Sequence, residues 1–296
     1  MRVGVVVNPR AGRGADAELV RSVVERLRPE RVLAGQDDLG ARYLDSSEII
    51  EVERTFDRHD TVRLVKAMDG LVDVIVVFGG DGTMSDAASA FPETPLLCIG
   101  TGTTNVSPLL CPPDFDPSTL VEVPFSGLYV REFERVAFND VVAGPTILAT
   151  VDGKIREVDA LAYMHGEVKL GNPSKFYARV SAEGRTLEGV YGNIFISMLD
   201  SRYLGKGISG GASISAFVGF SCLIACLSHT VVVGSMSKES LRSIEPIKTE
   251  TLSFDSSAKM YAETVISADG NPFTHSQEVE VVYKKDVVRV LKPRRP

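Results

Sequence analysis

The sequence predicts an α/β chain in two domains, a parallel-sheet domain over residues 1–125 and a β-rich domain over 126–296 whose last strand is free to return to the first. Three observations predict this. Through the first 125 residues, apolar runs of strand length alternate with amphipathic stretches of helical period. Strand-like runs there end in glycine-bearing loops. After Pro112-Pro113 and Pro117 the pattern changes to short runs rich in Val, Ile, Thr, Tyr and Phe, separated by turn signals.

Each element follows from its local pattern. Residues 3–7 form a continuous apolar run and read as a first buried strand. A helix over 15–27 follows, with Leu19, Val20, Val23, Val24 and Leu27 on one face. Residues 48–52 give a short strand and 60–68 a helix built on Val62, Leu64, Val65 and Met68. The β-branched run 72–78 is a second buried strand. It breaks at Gly79-Gly80-Asp81-Gly82-Thr83, after which small residues suggest a helix over 85–90. Residues 96–99 form another buried strand that ends in Gly100-Thr101-Gly102-Thr103-Thr104-Asn105. In the second half, 147–151 and 154–158 flank Asp152-Gly153, a hairpin signal, and 177–181 and 186–190 flank Glu183-Gly184 in the same way.

The composition bounds the function. With 296 residues and 44% of them hydrophobic, the chain can bury a sizeable core, and a net charge of −7 disfavours a nucleic-acid partner. No basic and apolar leader opens the sequence, which suggests a cytoplasmic protein. The apolar stretch 216–233 is interrupted by Gly219, Ser221, Ser228 and His229, so it reads as buried strands or a core helix and not as an integral membrane span. Cys98, Cys111, Cys222 and Cys226 lack CxxC spacing and are expected as buried free thiols. On a helix Cys222 and Cys226 would share a face, but His229 is the only further ligand nearby, and no metal ligands are assigned.

The chemistry lies in the loops. A glycine loop at the C-terminal end of a parallel strand presents backbone N–H groups where a helix N-terminus adds its positive dipole end, which is a place for phosphate. Residues 8–14, 79–83 and 100–105 share this character. Asp81 places a carboxylate between glycines. It either caps the following helix or meets a hydroxyl proton or a magnesium ion, as phosphoryl transfer requires. GxxxxGK[ST] is absent, and GxGxxG is incomplete because Asn105 takes its third glycine position. Arg10 and Arg13 either counter phosphate charge or are solvated loop residues.

Val77-Phe78-Gly79-Gly80-Asp81-Gly82-Thr83 resembles the GGDGT signature shared by NAD kinases, diacylglycerol kinases, sphingosine kinases and, more distantly, 6-phosphofructokinases. The opening Asn8-Pro9-Arg10-Ala11-Gly12-Arg13-Gly14 resembles the NPxxGxG start of the lipid-kinase branch, and Thr101 to Asn105 its GTxN loop. Ala137-Phe138-Asn139-Asp140-Val141-Val142 is similar to the NE element of NAD kinases, with Asp140 in place of the usual Glu. A TPTGSTAY loop is not recognisable, and 205–211 keeps at most its glycine-rich end. Over most of the chain the pattern looks like the NAD-kinase-like proteins of the AcoX type, including the late Asp269-Gly270, which also reads as a plain hairpin turn.

The resemblance implies a Rossmann-like domain followed by a β-rich one, with the active site between them. It implies ATP with its phosphates over Gly79, Gly80, Gly82 and Thr83, and with Asn8, Arg10, Thr101, Gly102, Thr103, Thr104 and Asn105 nearby. Asp81 would be the base or the organiser of Mg2+, for which no dedicated protein cage is expected. Asn139 and Asp140 would hold the ribose or amide of the acceptor, unless they are only a strand-end pair. The partners implied are nucleotides and dinucleotides, with NADP as a product, and the chain is expected as a homo-oligomer. Three readings follow: an NAD(H) kinase-like phosphotransferase, a lipid kinase of the diacylglycerol or sphingosine type, and a non-catalytic nucleotide-binding protein.

Overall fold

The computed structural model describes residues 1–12, 14–102, 105–151, 154–200, 202, 219–230 and 248–294. Arg13, Thr103, Thr104, the Asp152-Gly153 pair expected as a hairpin signal and the segment 205–211 therefore lie outside the described residues. The chain divides into two units: Met1–Ser126 together with Lys285–Pro296, and Gly127–Lys284.

The first unit contains, in chain order, β1 (Arg2–Val7), α1 (Ala17–Arg26), β2 (Arg31–Gly35), β3 (Glu48–Ile50), α2 (Arg58–Met68), β4 (Val74–Gly79), α3 (Asp81–Ala88), β5 (Leu96–Gly100), β6 (Leu110–Cys111) and the start of β7 (Leu120–Val130). Its sheet runs β3-β2-β1-β4-β5, and every neighbouring pair is parallel. From β1 the chain winds outward through β2 and β3, then crosses back to β4 and β5 on the other side. The order reverses between β1 and β4, and the crevice beyond their C-terminal ends is where open α/β sheets bind ligands.

Strands buried on both faces read as continuous apolar runs. Accordingly Val5, Val6 and Val7 of β1 and Ile75, Val76, Val77 and Phe78 of β4 have no exposed surface. α1 is started by Asp16, whose carboxylate accepts the N–H of Glu18, and it buries Val20, Val23 and Val24. These three join Val5, Phe78 and Ile99 in one core.

The structure corrects three expectations here. β2 was not anticipated, and β4 starts at Val74 and not at Val72. α3 begins at Asp81, four residues before the helix expected over 85–90. Gly82 and Thr83 are poor helix formers, but both sit in the first turn, where N–H groups have no partner within the helix in any case. An acidic residue at that end is favourable.

The second unit continues β7 and contains β8 (Arg135–Ala137), β9 (Asp140–Ala143), β10 (Thr146–Val151), β11 (Lys154–Asp159), α4 (Ala160–Met164), β12 (Phe176–Ala182), β13 (Arg185–Tyr191), β14 (Asn193–Met198), β15 (Cys222–Leu227), β16 (Thr249–Phe254), β17 (Ser257–Ala262), β18 (Val265–Ala268), β19 (Asn271–His275) and the start of β20 (Glu278–Pro293). Its main sheet is antiparallel, in the order β16-β15-β14-β9-β18-β19. One face carries Ile194, Ile196, Met198, Cys222, Ile224, Cys226, Leu252 and Phe254, all buried. β12 and β13 meet at Glu183-Gly184, where both residues have positive φ (48° and 73°), the turn that a two-residue hairpin favours. β10 and β11 pair antiparallel as their flanking of Asp152-Gly153 predicts.

Cys222 and Cys226 lie on a strand, which corrects the helix considered for them. A six-residue apolar run suits either element until its neighbours decide. All four cysteines are free and buried, and burial pushes the thiols of Cys98 and Cys226 up to about 12. Among the described residues, no helix is long and apolar enough to cross a membrane.

Candidate active site

Three loops leave the C-terminal ends of β1, β4 and β5, and glycines let them touch. Gly12 has φ +58°, and a Cβ there would lie 2.4 Å from the carbonyl oxygen of Thr101. A Cβ on Gly102 would come within 2.7 Å of the Cα of Gly80. Gly79 is pressed against Thr83 at 2.4 Å in the same sense. Backbone therefore meets backbone at Gly12 and Gly102, and backbone meets the Thr83 side chain at Gly79, so only glycine fits.

Hydrogen bonds fix the arrangement. The side-chain amide of Asn8 donates to Oγ1 of Thr83 at 2.8 Å, and its oxygen accepts the N–H of Arg10 at 3.0 Å. The N–H of Thr101 donates to the carbonyl of Gly79 at 2.8 Å. Asn105, itself left-handed at φ 48°, donates to the carbonyl of Gly102 at 2.8 Å. Asn8, Gly79, Gly80, Gly82, Thr83, Thr101, Gly102 and Asn105 thus gather in one place in the first unit.

Asp81 is more than a helix cap. Gly80 occupies the N-cap position of α3, and the Asp81 carboxylate reaches across to the loop after β5. It accepts the N–H of Val106 at 3.1 Å and that of Ser107 at 2.8 Å, one on each oxygen. Backbone donors therefore orient this carboxylate at the edge of the junction. Nearby, Oγ1 of Thr101 is buried and has no hydrogen-bond partner among the described residues.

Next to the junction is a cavity of about 180 Å³, lined by Asn8, Arg10, Arg54, Phe56, Arg58 and Asp86 among others. Its wall is braced by ion pairs: Arg54 with Asp38 at 2.6 Å, and Arg58 of α2 with Asp86 of α3 at 2.8 Å. The guanidinium of Arg54 lies over the Phe56 ring, 4.5 Å from its centroid, and Arg10 donates to the carbonyl of Phe56 at 2.8 Å. Asp60 is buried and accepts the N–H groups of Thr55 and Phe56 at 2.7 and 3.0 Å. Burial would raise the Asp57 carboxyl, but hydrogen bonds from Thr55 and from the backbone and ring of His59 outweigh it and bring it down to about 2. The sequence reading missed the 54–60 segment. Its only local signal was a dense charged run between a strand and a helix.

Asn139 and Asp140 belong to the second unit, at the entry to β9. Both are buried, and Oδ1 of Asn139 has no hydrogen-bond partner among the described residues. Asp269 and Gly270 do form a hairpin turn between β18 and β19, with φ 47° and 76°. The Asp269 carboxylate does more, however, because it accepts the N–H groups of Phe138, Asn139 and Asp140.

Burial, followed by the charge of Asp269, raises the Asp140 carboxyl to about 7. An acid whose folded value lies above its unfolded value of about 3.9 gives stability that is complete below pH 4 and is lost as the pH rises to about 7. Asp140→Asn keeps the neutral shape at every pH. Its unfolding temperature should therefore gain on that of the wild type between pH 4 and pH 7, as read by calorimetry. Parallel curves for the two proteins would mean that Asp140 does not carry this proton.

A model of the diacylglycerol kinase catalytic domain matches residues 2–110. An uncharacterized protein of Archaeoglobus fulgidus is 55% identical over 299 residues, which cover 99% of this chain and 98% of that one. Among solved structures, a diacylglycerol kinase from Bacillus anthracis str. Sterne superposes with a TM-score of 0.56 at 15% identity, covering 100% of this chain and 97% of that one. Yeast NADH kinase in complex with NADH gives a TM-score of 0.55 at 13% identity, covering 100% of this chain and 84% of that one. The parallel sheet, the GGDGT loop at the end of β4 and these matches agree: residues 2–110 are similar to the diacylglycerol kinase catalytic domain, and the chain as a whole has the fold of the diacylglycerol kinase and NADH kinase structures.

Proposed function

We propose that this protein is an ATP-dependent phosphotransferase that phosphorylates a hydroxyl of a nucleotide acceptor, in the manner of an NAD(H) kinase. The observation that carries the reading is the junction of three glycine loops at the switch point of a parallel sheet, with the Asp81 carboxylate held at its edge by two backbone N–H groups.

The residues suit a polyphosphate. Glycines at 12, 79, 80 and 102 leave backbone approachable, and the buried hydroxyl of Thr101 awaits a polar partner. The cavity at Arg54, Phe56 and Arg58 is placed to receive the rest of a nucleotide, through the stacking face and the guanidinium groups on its wall. ATP supplies the transferable phosphoryl group and carries Mg2+ with it. Among the described residues no cluster of three or more His, Cys, Asp or Glu forms a cage for the ion, and Asp81 is the carboxylate that would face it. In the transfer, Asp81 accepts the proton of the attacking hydroxyl, and the N–H groups at the start of α3 oppose the charge on the phosphate oxygens.

For the acceptor, the unpartnered amide oxygen of Asn139 supports recognition of a donor group on a polar molecule, such as the amide or ribose hydroxyl of NAD. A second reading, a lipid hydroxyl as acceptor, is favoured by the match of residues 2–110 to the diacylglycerol kinase catalytic domain. Purified protein with ATP and Mg2+, offered NAD, NADH and diacylglycerol, separates the two. NADP or NADPH formation is expected, with the acceptor KM raised at least ~10-fold by Asn139→Ala. Phosphatidate alone would replace the first reading by the second. ATP binding with no transfer to any of the three would overturn both.

A further inference from the structure

We propose that Asp269 is a positioning residue for the Asn139–Asp140 pair: its carboxylate gathers three consecutive backbone N–H groups and so sets the aim of the Asn139 amide and the surroundings of the Asp140 carboxyl. The inference rests on the reading of Asn139 and Asp140 as acceptor-holding residues.

The geometry exceeds what a turn needs. A two-residue hairpin asks only that its central residues tolerate positive φ, and Asn or Gly does so at position 269 as well as Asp. The Asp269 carboxylate instead accepts Phe138 N–H at 2.9 Å and Asn139 N–H at 2.7 Å, with Asp140 N–H at 3.3 Å. In return the N–H of Asp269 donates to the carbonyl of Asp140 at 3.0 Å. Phe138 and Asn139 lie between β8 and β9, outside both strands, so this carboxylate holds a stretch of backbone that the sheet does not.

What is held is chemically unfinished. Among the described residues, Oδ1 of Asn139 is buried and lacks a partner, as does Oγ of Ser197, which faces Asp140 across β14 and β9. Native proteins seldom leave such atoms unpaired, and the Asn139 oxygen, on the very stretch that Asp269 holds, points to a polar group supplied by a ligand. Asp269 also acts through charge. Asp140 faces Ser197 on one side and the β18–β19 turn on the other, and the turn's Asp269 is the charged group whose field disfavours ionisation of Asp140.

The test is Asp269→Asn, which keeps the size and the tolerance of positive φ but removes the charge and one accepting oxygen. Two readouts are taken: calorimetric affinities for NAD and for ATP, and the titration of the Asp140 carboxyl by carbon NMR, assigned with Asp140→Asn. The NAD affinity should fall at least ~10-fold with the ATP affinity unchanged within about twofold. The Asp140 midpoint should move to lower pH. Asp269→Glu restores the charge and should return the midpoint towards the wild-type value, an effect that a purely architectural turn residue would not produce. An unchanged midpoint together with unchanged NAD affinity overturns the proposal. If the wild type binds ATP but not NAD, the acceptor reading has failed on its own, and the titration alone decides the role of Asp269: a shifted midpoint upholds it and a fixed one ends it.

Discussion

Asp81→Asn should lower phosphotransfer by a factor of about 100 to 10,000 while ATP affinity stays within about twofold of wild type. Two separate losses produce the drop. The amide cannot accept the proton of the attacking hydroxyl, and it offers only one accepting oxygen where Val106 and Ser107 now donate one N–H to each side. Its NH2 group would face a backbone N–H, so the side chain turns away from the edge of the junction. Single-turnover rates with NAD as acceptor, alongside calorimetric ATP binding, measure the effect. Undiminished turnover in the variant would remove Asp81 from the chemistry.

Gly12→Ala should weaken ATP binding at least ~10-fold and lower the unfolding temperature by about 3–8 °C. The added carbon would sit 2.4 Å from the Thr101 carbonyl oxygen, and alanine at φ +58° carries left-handed strain as well. The loop after β1 must therefore back away from Thr101 and Gly102, and the junction opens. Gly70→Ala is the control. Its φ of +73° brings similar strain, but nothing lies within 4 Å of the new carbon, so it should lose stability and keep ATP affinity. Equal ATP affinity in Gly12→Ala and wild type would separate phosphate binding from this junction.

The parts of the fold legible in the sequence were those written locally. β1 and β4 declare themselves as β-branched runs because both of their faces are buried, and α2 shows its apolar stripe at helical spacing. β2 was hidden because it is five residues long and opens on the exposed Arg31. The start of α3 was hidden by Gly82 and Thr83, whose propensities matter less in a first turn than in a helix interior. The loops of the candidate site were equally local, since Gly79 to Thr83 and Gly100 to Gly102 signal tight backbone by composition alone. The charged cavity was not, because Asp38, the 54–60 segment and Asp86 meet only after α2 packs against the sheet. Asp269 was underestimated for the same reason: a turn residue shows its hairpin in the sequence, but not the distant backbone that its carboxylate will hold.

The path of the chain also sets a timetable. β20 ends in the first unit, where Val290 pairs in parallel with Leu96 at the base of β5, the strand that leads to Thr101 and Gly102. On the ribosome, β1 to β6 emerge early and β6 covers this edge of β5 at Cys98 and Ile99, yet its base at Leu96 stays unpaired until Val290 has been synthesised. Closing so long a loop is entropically costly and slow, and an open strand edge invites wrong partners meanwhile. The first unit is thus begun before the second and completed after it, which leaves its nascent form with an open strand base for the time that residues 127–284 take to emerge.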